Sequence, residues 1–170
     1  MITDKMAQAL NDQIREELYS AYIYLSMSSY AASAGMGGVA HWFQIQTKEE
    51  LTHVDRFYNY LNSRGCQVVL QAIDQPPNKW DSALAMFEGA LAHEQHISQC
   101  IHDLSLLAEE EKDRATDIFL QWFISEQVEE EENAQEVIDQ LKLAGTDGSG
   151  LFMIDRELVK RVFTPPATNA

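Results

Sequence analysis

Cysteine is scarce in this 170-residue sequence, which contains only Cys66 and Cys100. Neither residue belongs to a Cys-x-x-Cys pair, so the sequence indicates no disulfide framework, zinc site or rubredoxin-type iron site. Two isolated cysteines are typical of a reducing compartment. Their roles are unknown, and the simplest expectation is that both are buried structural residues.

Long apolar runs are also missing, since no stretch approaches the roughly 18 uninterrupted apolar residues typical of a membrane-spanning helix. The first residues lack the apolar segment of a signal peptide. We therefore expect a cytoplasmic protein without a membrane partner.

Basic residues are few, with 12 Lys and Arg against 27 Asp and Glu and a formal net charge of −15. This balance disfavours nucleic-acid phosphates and anionic membranes as partners, and it favours the attraction of cations. Solubility alone would also explain the acidic surplus, so composition leaves both interpretations open. The 45% of apolar residues is ordinary for a globular protein, and we expect a single domain over residues 1–170.

Signals for β-strands are almost absent, whereas helical periodicity is strong. A long irregular stretch, residues 65–80, contains two adjacent prolines and is interpreted as a crossover along a helical bundle. Asp81 or Ser82 is expected to cap the helix that follows it. A shorter amphipathic segment near the end would place Leu151, Ile154, Leu158 and Val162 on one side. The pattern predicts an all-α four-helix bundle, with one long crossover and a short fifth helix, whose helices span about residues 5–34, 38–64, 81–108, 113–142 and 151–162.

Each of the four long helices carries a glutamate within its apolar stripe. Glu17, for example, lies seven residues from both Leu10 and Tyr24, which belong to the apolar arc of the first helix. At about 1.5 Å per residue, the glutamates lie within about 8 Å of the same height in the bundle. The residues predicted to point into the core are Glu17, Glu50 with His53 one turn later, Glu94, and Glu126 with Glu130.

Several carboxylates cannot be buried together without compensation, because removing one from water costs several kcal/mol. Protonation or access to solvent would relieve the charge, but divalent cations explain four glutamates and a histidine at one height better. Carboxylate oxygen with one imidazole suits iron or manganese. Two-metal centres in such bundles use single glutamates from two helices and Glu-x-x-His from the other two. Here Glu50-x-x-His53 is one full motif, while the fourth helix has Glu126-Gln127-Val128-Glu129-Glu130 and no second histidine.

That departure, together with motifs along nearly the whole chain, resembles bacterial and archaeal non-haem ferritins. The motifs are Glu-Leu-Tyr-Ser at 17–20, Glu-Glu-Leu-Thr-His at 49–53, Glu-Gln-His-Ile at 94–97, Gln-Trp-Phe-Ile-Ser-Glu-Gln-Val-Glu-Glu at 121–130 and Leu-Ala-Gly at 143–145. The resemblance implies a ferritin-like fold and a two-iron site. Glu17, Glu50 and His53 would bind the first iron, with Glu50 bridging to a second iron held by Glu94 and Glu130.

The resemblance also implies roles for neighbouring residues. Gln127 would form a hydrogen bond near the oxygen site, and Tyr24 would be a hydrogen-bond partner and a possible electron donor. Asp117 resembles a position in the three-fold channel, although an ordinary surface aspartate explains it equally well. A possible third iron site, for which a solvated acidic face is the alternative, would consist of Glu49, Glu126 and Glu129.

The activity implied is that of a ferroxidase. Fe²⁺ would be oxidised to Fe³⁺ by O₂ or H₂O₂ and stored as ferric oxyhydroxide inside a homo-24-mer, with the fifth helix at the four-fold contact. A haem-containing bacterioferritin is disfavoured, and no haem is anticipated, because Leu51 stands where a methionine is expected and the second Glu-x-x-His is missing. A rubrerythrin-like peroxidase normally carries Cys-x-x-Cys pairs, and DNA-protecting miniferritins often have basic tails, whereas residues 164–170 contain no basic residue.

Overall fold

Helices form the regular structure of residues 2–165, which are the part of the chain that the computed structural model describes. No strand occurs within this range. The all-α fold predicted from the periodicity is confirmed, and the long helices begin and end within about two residues of the predicted bounds. The five helices are α1 (Asp4–Ser33), α2 (Gly37–Ser63), α3 (Ala83–Glu110), α4 (Arg114–Ala144) and α5 (Gly148–Leu158).

Short polar side chains begin most of these helices by accepting a hydrogen bond from an otherwise unpaired backbone N–H group. Thr3 accepts from the Met6 N–H at 3.2 Å at the start of α1. Of the two candidates at the start of α3, Ser82 is the cap, and its Oγ accepts from the Ala85 N–H at 3.0 Å.

The chain between α2 and α3 crosses the bundle along α1. Asn11 Oδ1 accepts from the Val69 N–H at 2.7 Å near the beginning of α1. Towards the other end, the Tyr30 hydroxyl donates to the Trp80 carbonyl oxygen at 2.5 Å. The crossover therefore allows α3 to start at the same end of the bundle as α2. As a result, α1 packs mainly on α2 and α3 mainly on α4.

The apolar core consists of two clusters at opposite ends of the bundle. One contains Tyr24, Phe43 and Phe87 and extends to α5. The other contains Leu10, Phe57 and Phe123. Glutamates and a histidine, instead of apolar side chains, occupy the level between the two clusters. Within residues 2–165, no helix has both the length and the hydropathy needed to cross a membrane.

The fifth helix begins and ends earlier in the chain than predicted. It begins three residues earlier, because Asp147 accepts hydrogen bonds from the Ser149 and Gly150 N–H groups and caps it. It ends at Leu158 instead of residue 162. Ile154 and Leu158 are buried, whereas Val162 lies beyond the end of the helix and is 76% exposed.

Two other side-chain expectations also need correction. Cys66 and Cys100 are free and only half-buried, so the expectation that both are buried is wrong. Burial, aided by the charge of Glu16, nevertheless raises the pKa of the Cys100 thiol to about 11. Asp117 is buried at the start of α4, with its carboxylate 2.5 Å from Nη1 of Arg114, so the alternative of an ordinary surface aspartate is wrong. Its place in a three-fold channel stays a prediction.

The contact between α5 and α2 depends on the absence of a side chain at Gly38. A Cβ atom at this position would lie 1.6 Å from the carbonyl oxygen of Asp155, whereas a Cβ at Gly37 would meet nothing within 4 Å. The neighbouring Val39 N–H donates to Asp155 Oδ1 at 2.9 Å.

We expect Gly38→Ala to destabilise the protein by about 1–3 kcal/mol, because α5 must shift to accommodate the methyl group. Hydrogen exchange should show a selective loss of amide protection in α5, together with a lower melting temperature. Gly37→Ala is the matched control and should leave both quantities nearly unchanged. Native protection of α5 in the Gly38→Ala variant would contradict this account of the contact.

Candidate metal centre

The bundle brings one glutamate from each long helix into its interior, together with one histidine. These residues are no more than 4% exposed, although each has a charged form. Helical periodicity explains the burial, since each residue lies on the face that the surrounding apolar side chains also occupy. The residues are Glu17 on α1, Glu50 and His53 on α2, Glu94 on α3, and Glu130 on α4.

One set of potential ligands is already assembled. His53 Nδ1 lies 3.2 Å from Glu50 Oε2 and 3.6 Å from Glu17 Oε2. Ligand atoms of these three residues lie within 4.8 Å of one another, so a single cation could contact all of them. This set comprises the three residues to which the resemblance to non-haem ferritins gives the role of binding a first iron.

A second set consists of His53, Glu126 and Glu130, whose ligand atoms also lie within 4.8 Å of one another. This set differs from the predicted second-iron ligands, because Glu94 belongs to neither assembled set. Tyr24 and Gln127 instead bind the two oxygens of Glu94.

Neutral donors stabilise most of the buried carboxylates. Gln13 Nε2 donates to Glu17 Oε1 at 2.9 Å, and Gln127 Nε2 donates to Glu94 Oε2 at 3.1 Å. The Tyr24 hydroxyl donates to the other oxygen of Glu94. Each expected hydrogen-bonding role of Tyr24 and Gln127 therefore has a partner in the structure.

Two carboxylate oxygens remain without a hydrogen bond despite being buried. They are Oε2 of Glu17 and Oε1 of Glu50. An orphaned buried acceptor is costly in a protein interior, whereas a cation would satisfy it directly. The pair lies in the set that also offers His53 Nδ1. The residues present therefore suit a divalent cation with oxygen and nitrogen ligands.

The shifted pKa values of the buried groups also favour a bound cation. Burial raises the pKa of Glu50 well above its ordinary value, and the charge of Glu94 raises it further. Burial likewise raises the pKa of Glu94, and it raises that of Glu130 to about 8. Burial alone would lower the pKa of His53, but the charges and hydrogen bonds of Glu50 and Glu17 together outweigh burial and raise this pKa well above normal. Without a cation, the centre therefore retains protons near neutral pH.

The three residues predicted for a third iron line a cavity of about 490 Å³ that also reaches His53. Glu126 takes part in the second assembled set. Glu49 is paired with Arg161, whose Nη2 lies 2.6 Å from Glu49 Oε2. Burial raises the pKa of both Glu49 and Glu126. Glu49 and Glu126 therefore form a partly covered wall of the cavity, whereas Glu129 is exposed.

Sequence reasoning missed three residues that contact the centre or the adjoining cavity. Gln13 precedes Glu17 by four residues and Gln46 precedes Glu50 by four, so one-turn spacing could have revealed both. Gln46 Nε2 donates to Glu130 Oε2. Arg161 follows α5, and no spacing in the sequence links it to Glu49.

The five-helix fold and its buried glutamates together define an all-α bundle with an internal centre suited to metal ions. The family model of the ferritin-like domain matches residues 7–144. A bacterial non-heme ferritin of Bacteroides fragilis (strain 638R) is 41% identical over 161 residues, covering 95% of this chain and 100% of that protein. A bacterial non-heme ferritin of Staphylococcus aureus (strain USA300) is 36% identical over 163 residues, covering 96% and 98%.

Solved structures agree with the family match. An open-pore ferritin from the hyperthermophilic archaeon Archaeoglobus fulgidus superposes with a TM-score of 0.94 at 45% identity, covering 95% of this chain and 100% of that chain. This chain therefore belongs to the ferritin family.

We predict that the metal-free protein loses thermal stability as pH rises from about 5 to 9. The folded-state pKa of Glu130 is about 8, above its unfolded value, so its stabilising contribution is complete below the unfolded pKa. That contribution is lost as pH rises through the folded pKa. The buried Glu50 and Glu94 act in the same direction.

Melting temperatures measured across this range in the presence of a chelator test the prediction. Glu130→Gln should flatten the curve, because the amide stays neutral at every pH. Glu132→Gln removes a charge from an exposed position on the same helix and should leave the slope unchanged. Equal slopes for wild type and Glu130→Gln would show that Glu130 does not carry the effect.

Proposed function

We propose that this protein is a ferroxidase and iron store, which oxidises Fe²⁺ at the buried centre and keeps the product as ferric oxyhydroxide. The observation that carries the proposal is the meeting of four glutamates and His53 in the core, with one unsatisfied oxygen each on Glu17 and Glu50. The non-heme ferritin relatives support the same conclusion.

Charge balance indicates how many substrate ions the centre takes. Four ionised glutamates carry four negative charges, and two Fe²⁺ ions neutralise them without requiring protons. Glu17, Glu50 and His53 would hold the first ion, and Glu50 would share the second with Glu94 and Glu130. Each Fe²⁺ gives up one electron to O₂ or H₂O₂. With O₂, two Fe²⁺ ions and two protons yield two Fe³⁺ ions and one H₂O₂.

Tyr24 and Gln127 would position Glu94 during this reaction. Both donate hydrogen bonds to its carboxylate and so fix the direction of its remaining lone pairs. Burial and the charge of Glu94 raise the pKa of Tyr24 well above its ordinary value, so its hydroxyl stays a donor at neutral pH. A buried phenol in contact with a ligand is also a suitable electron donor to the same oxidant.

The acidic cavity beside the centre would receive a third cation. Its predicted ligands Glu49, Glu126 and Glu129 all line the cavity, and His53 separates it from Glu17 and Glu50. The net charge of −15 would attract Fe²⁺ to the protein. Iron could then move between the buried centre and the storage space through this cavity.

Storage requires an enclosed space, and we propose that 24 copies form a shell in the cytoplasm. Apolar side chains around α5 support an assembly contact, since Leu143, Phe152 and Met153 are 91%, 65% and 72% exposed in the isolated subunit. A second exposed apolar group, which includes Tyr22, Leu25 and Ile73, lies where α1 meets the crossover. Contacts with neighbouring subunits would cover both surfaces and explain why apolar side chains are exposed there in the isolated subunit. Haem, nucleic acid and membranes have no part in this proposal.

An anaerobic Fe²⁺ titration followed by exposure to O₂ tests the proposal, with size-exclusion chromatography on the same sample. We expect rapid oxidation of about two Fe²⁺ per subunit, because four carboxylates match two divalent charges. The particle should contain 24 copies of a 19.3 kDa chain, which corresponds to about 460 kDa. Slow oxidation at the rate of free Fe²⁺, or a small oligomer, would argue against ferroxidase activity or storage respectively.

Replacing His53 by alanine should slow the initial oxidation at least about 100-fold, because it removes the nitrogen ligand that both assembled sets share. His102→Ala, at an exposed position of α3, is the matched control and should oxidise Fe²⁺ at the wild-type rate. Stopped-flow absorbance of the ferric product measures both. Assembly should be normal in each variant, and wild-type oxidation by His53→Ala would remove the assignment of the centre.

A further inference from the structure

Arg161 reaches back from the segment after α5 to one face of α2. Its Nη1 donates to Gln46 Oε1 and its Nη2 donates to Glu49 Oε2, both at 2.6 Å. The guanidinium carbon lies 4.4 Å from the ring centroid of Trp42. The Arg161 carbonyl oxygen also accepts a hydrogen bond from His41 Nε2 at 2.8 Å. Four contacts therefore hold both the backbone and the guanidinium group of Arg161 in place.

The contact with Gln46 connects Arg161 to the buried centre. A glutamine amide has one acceptor atom and one donor group, and arginine can only donate. Arg161 therefore holds the Gln46 oxygen towards itself, which turns the Gln46 NH₂ group towards Glu130 as a donor. Through Gln46, the arginine orients a residue of the second assembled set.

The contact with Glu49 places a fixed positive charge on the wall of the acidic cavity. Arg161 lines this cavity together with Glu49, Glu126 and Glu129. The two partners are mostly shielded from solvent, with side-chain exposures of 18% and 19%. Charge-assisted hydrogen bonds are stronger than neutral ones, and shielding reduces their screening by water. A metal cation that binds Glu49 Oε2 must therefore compete with the guanidinium, and one that binds Oε1 is still repelled by this fixed positive charge.

We propose that Arg161 is a built-in competitor for the third cation of the cavity, and that it keeps the affinity of this third position below that of the two-iron centre. The inference rests on the proposed function. Its consequence is an order of filling: cations occupy the buried centre first, and a cation at the cavity is held weakly enough to move on. Arg161 is thus a positioning residue that acts through Glu49 and Gln46.

Calorimetric titration of the metal-free protein with Zn²⁺, which undergoes no redox chemistry, tests the inference independently of oxidation. Wild type should bind two ions tightly and one weakly. Arg161→Gln removes the charge while keeping hydrogen-bonding capacity, and it should tighten the weak position about tenfold. Arg161→Lys keeps the charge and should stay within about threefold of wild type. Arg156→Gln makes the same substitution at an exposed position on α5 and should change nothing.

A double-mutant cycle with Glu49→Gln separates competition from a purely structural tether. Glu49→Gln should weaken the third position, and adding Arg161→Gln to it should produce no tenfold gain. If Arg161→Gln leaves the third affinity unchanged or lowers it, with a normal melting temperature, Arg161 is only a tether and the inference is wrong. A wild-type protein that binds no pair of ions tightly would instead contradict the proposed function.

Discussion

The structure depends on the burial of acidic side chains from four helices at one level of the bundle. Water is excluded there, so negative charge persists only where protons, hydrogen-bond donors or cations compensate it. Amide and hydroxyl donors from Gln13, Gln127 and Tyr24 compensate part of it. The raised pKa of Glu130 shows that protons supply part of the remainder. Divalent ions can replace those protons, and this exchange is the physical basis of the proposed iron chemistry.

The rest of the fold holds this level in place. Apolar clusters above and below it fix the spacing of the helices and leave little space for water. The crossover along α1 lets both helical hairpins contribute ligands at the same height. The segment directly after α5 adds a contact from outside the bundle, since Arg161 reaches the wall of the cavity beside His53. The apolar clusters, the crossover and the segment after α5 therefore all help to position the buried charged groups.

Much of this arrangement could be predicted from the sequence, because helical periodicity is a local property. The spacing of Glu17 from Leu10 and Tyr24 is enough to place it in the core. The first residue of α5 cannot be predicted from its apolar residues. Asp147 caps the helix just before Gly148, and glycines in the first turn do not indicate a helix. The position of Glu94 outside both assembled sets depends on side-chain hydrogen bonds between helices. The contact of Arg161 with Glu49 is purely tertiary, and no local pattern encodes it.

Anomalous X-ray diffraction from crystals loaded anaerobically with Fe²⁺ would test the central claim most directly. The account predicts two iron peaks in the core of each subunit, one between Glu17, Glu50 and His53 and the other beside Glu94 and Glu130. Iron found solely on exposed carboxylates, with no peak in the core, would contradict the account.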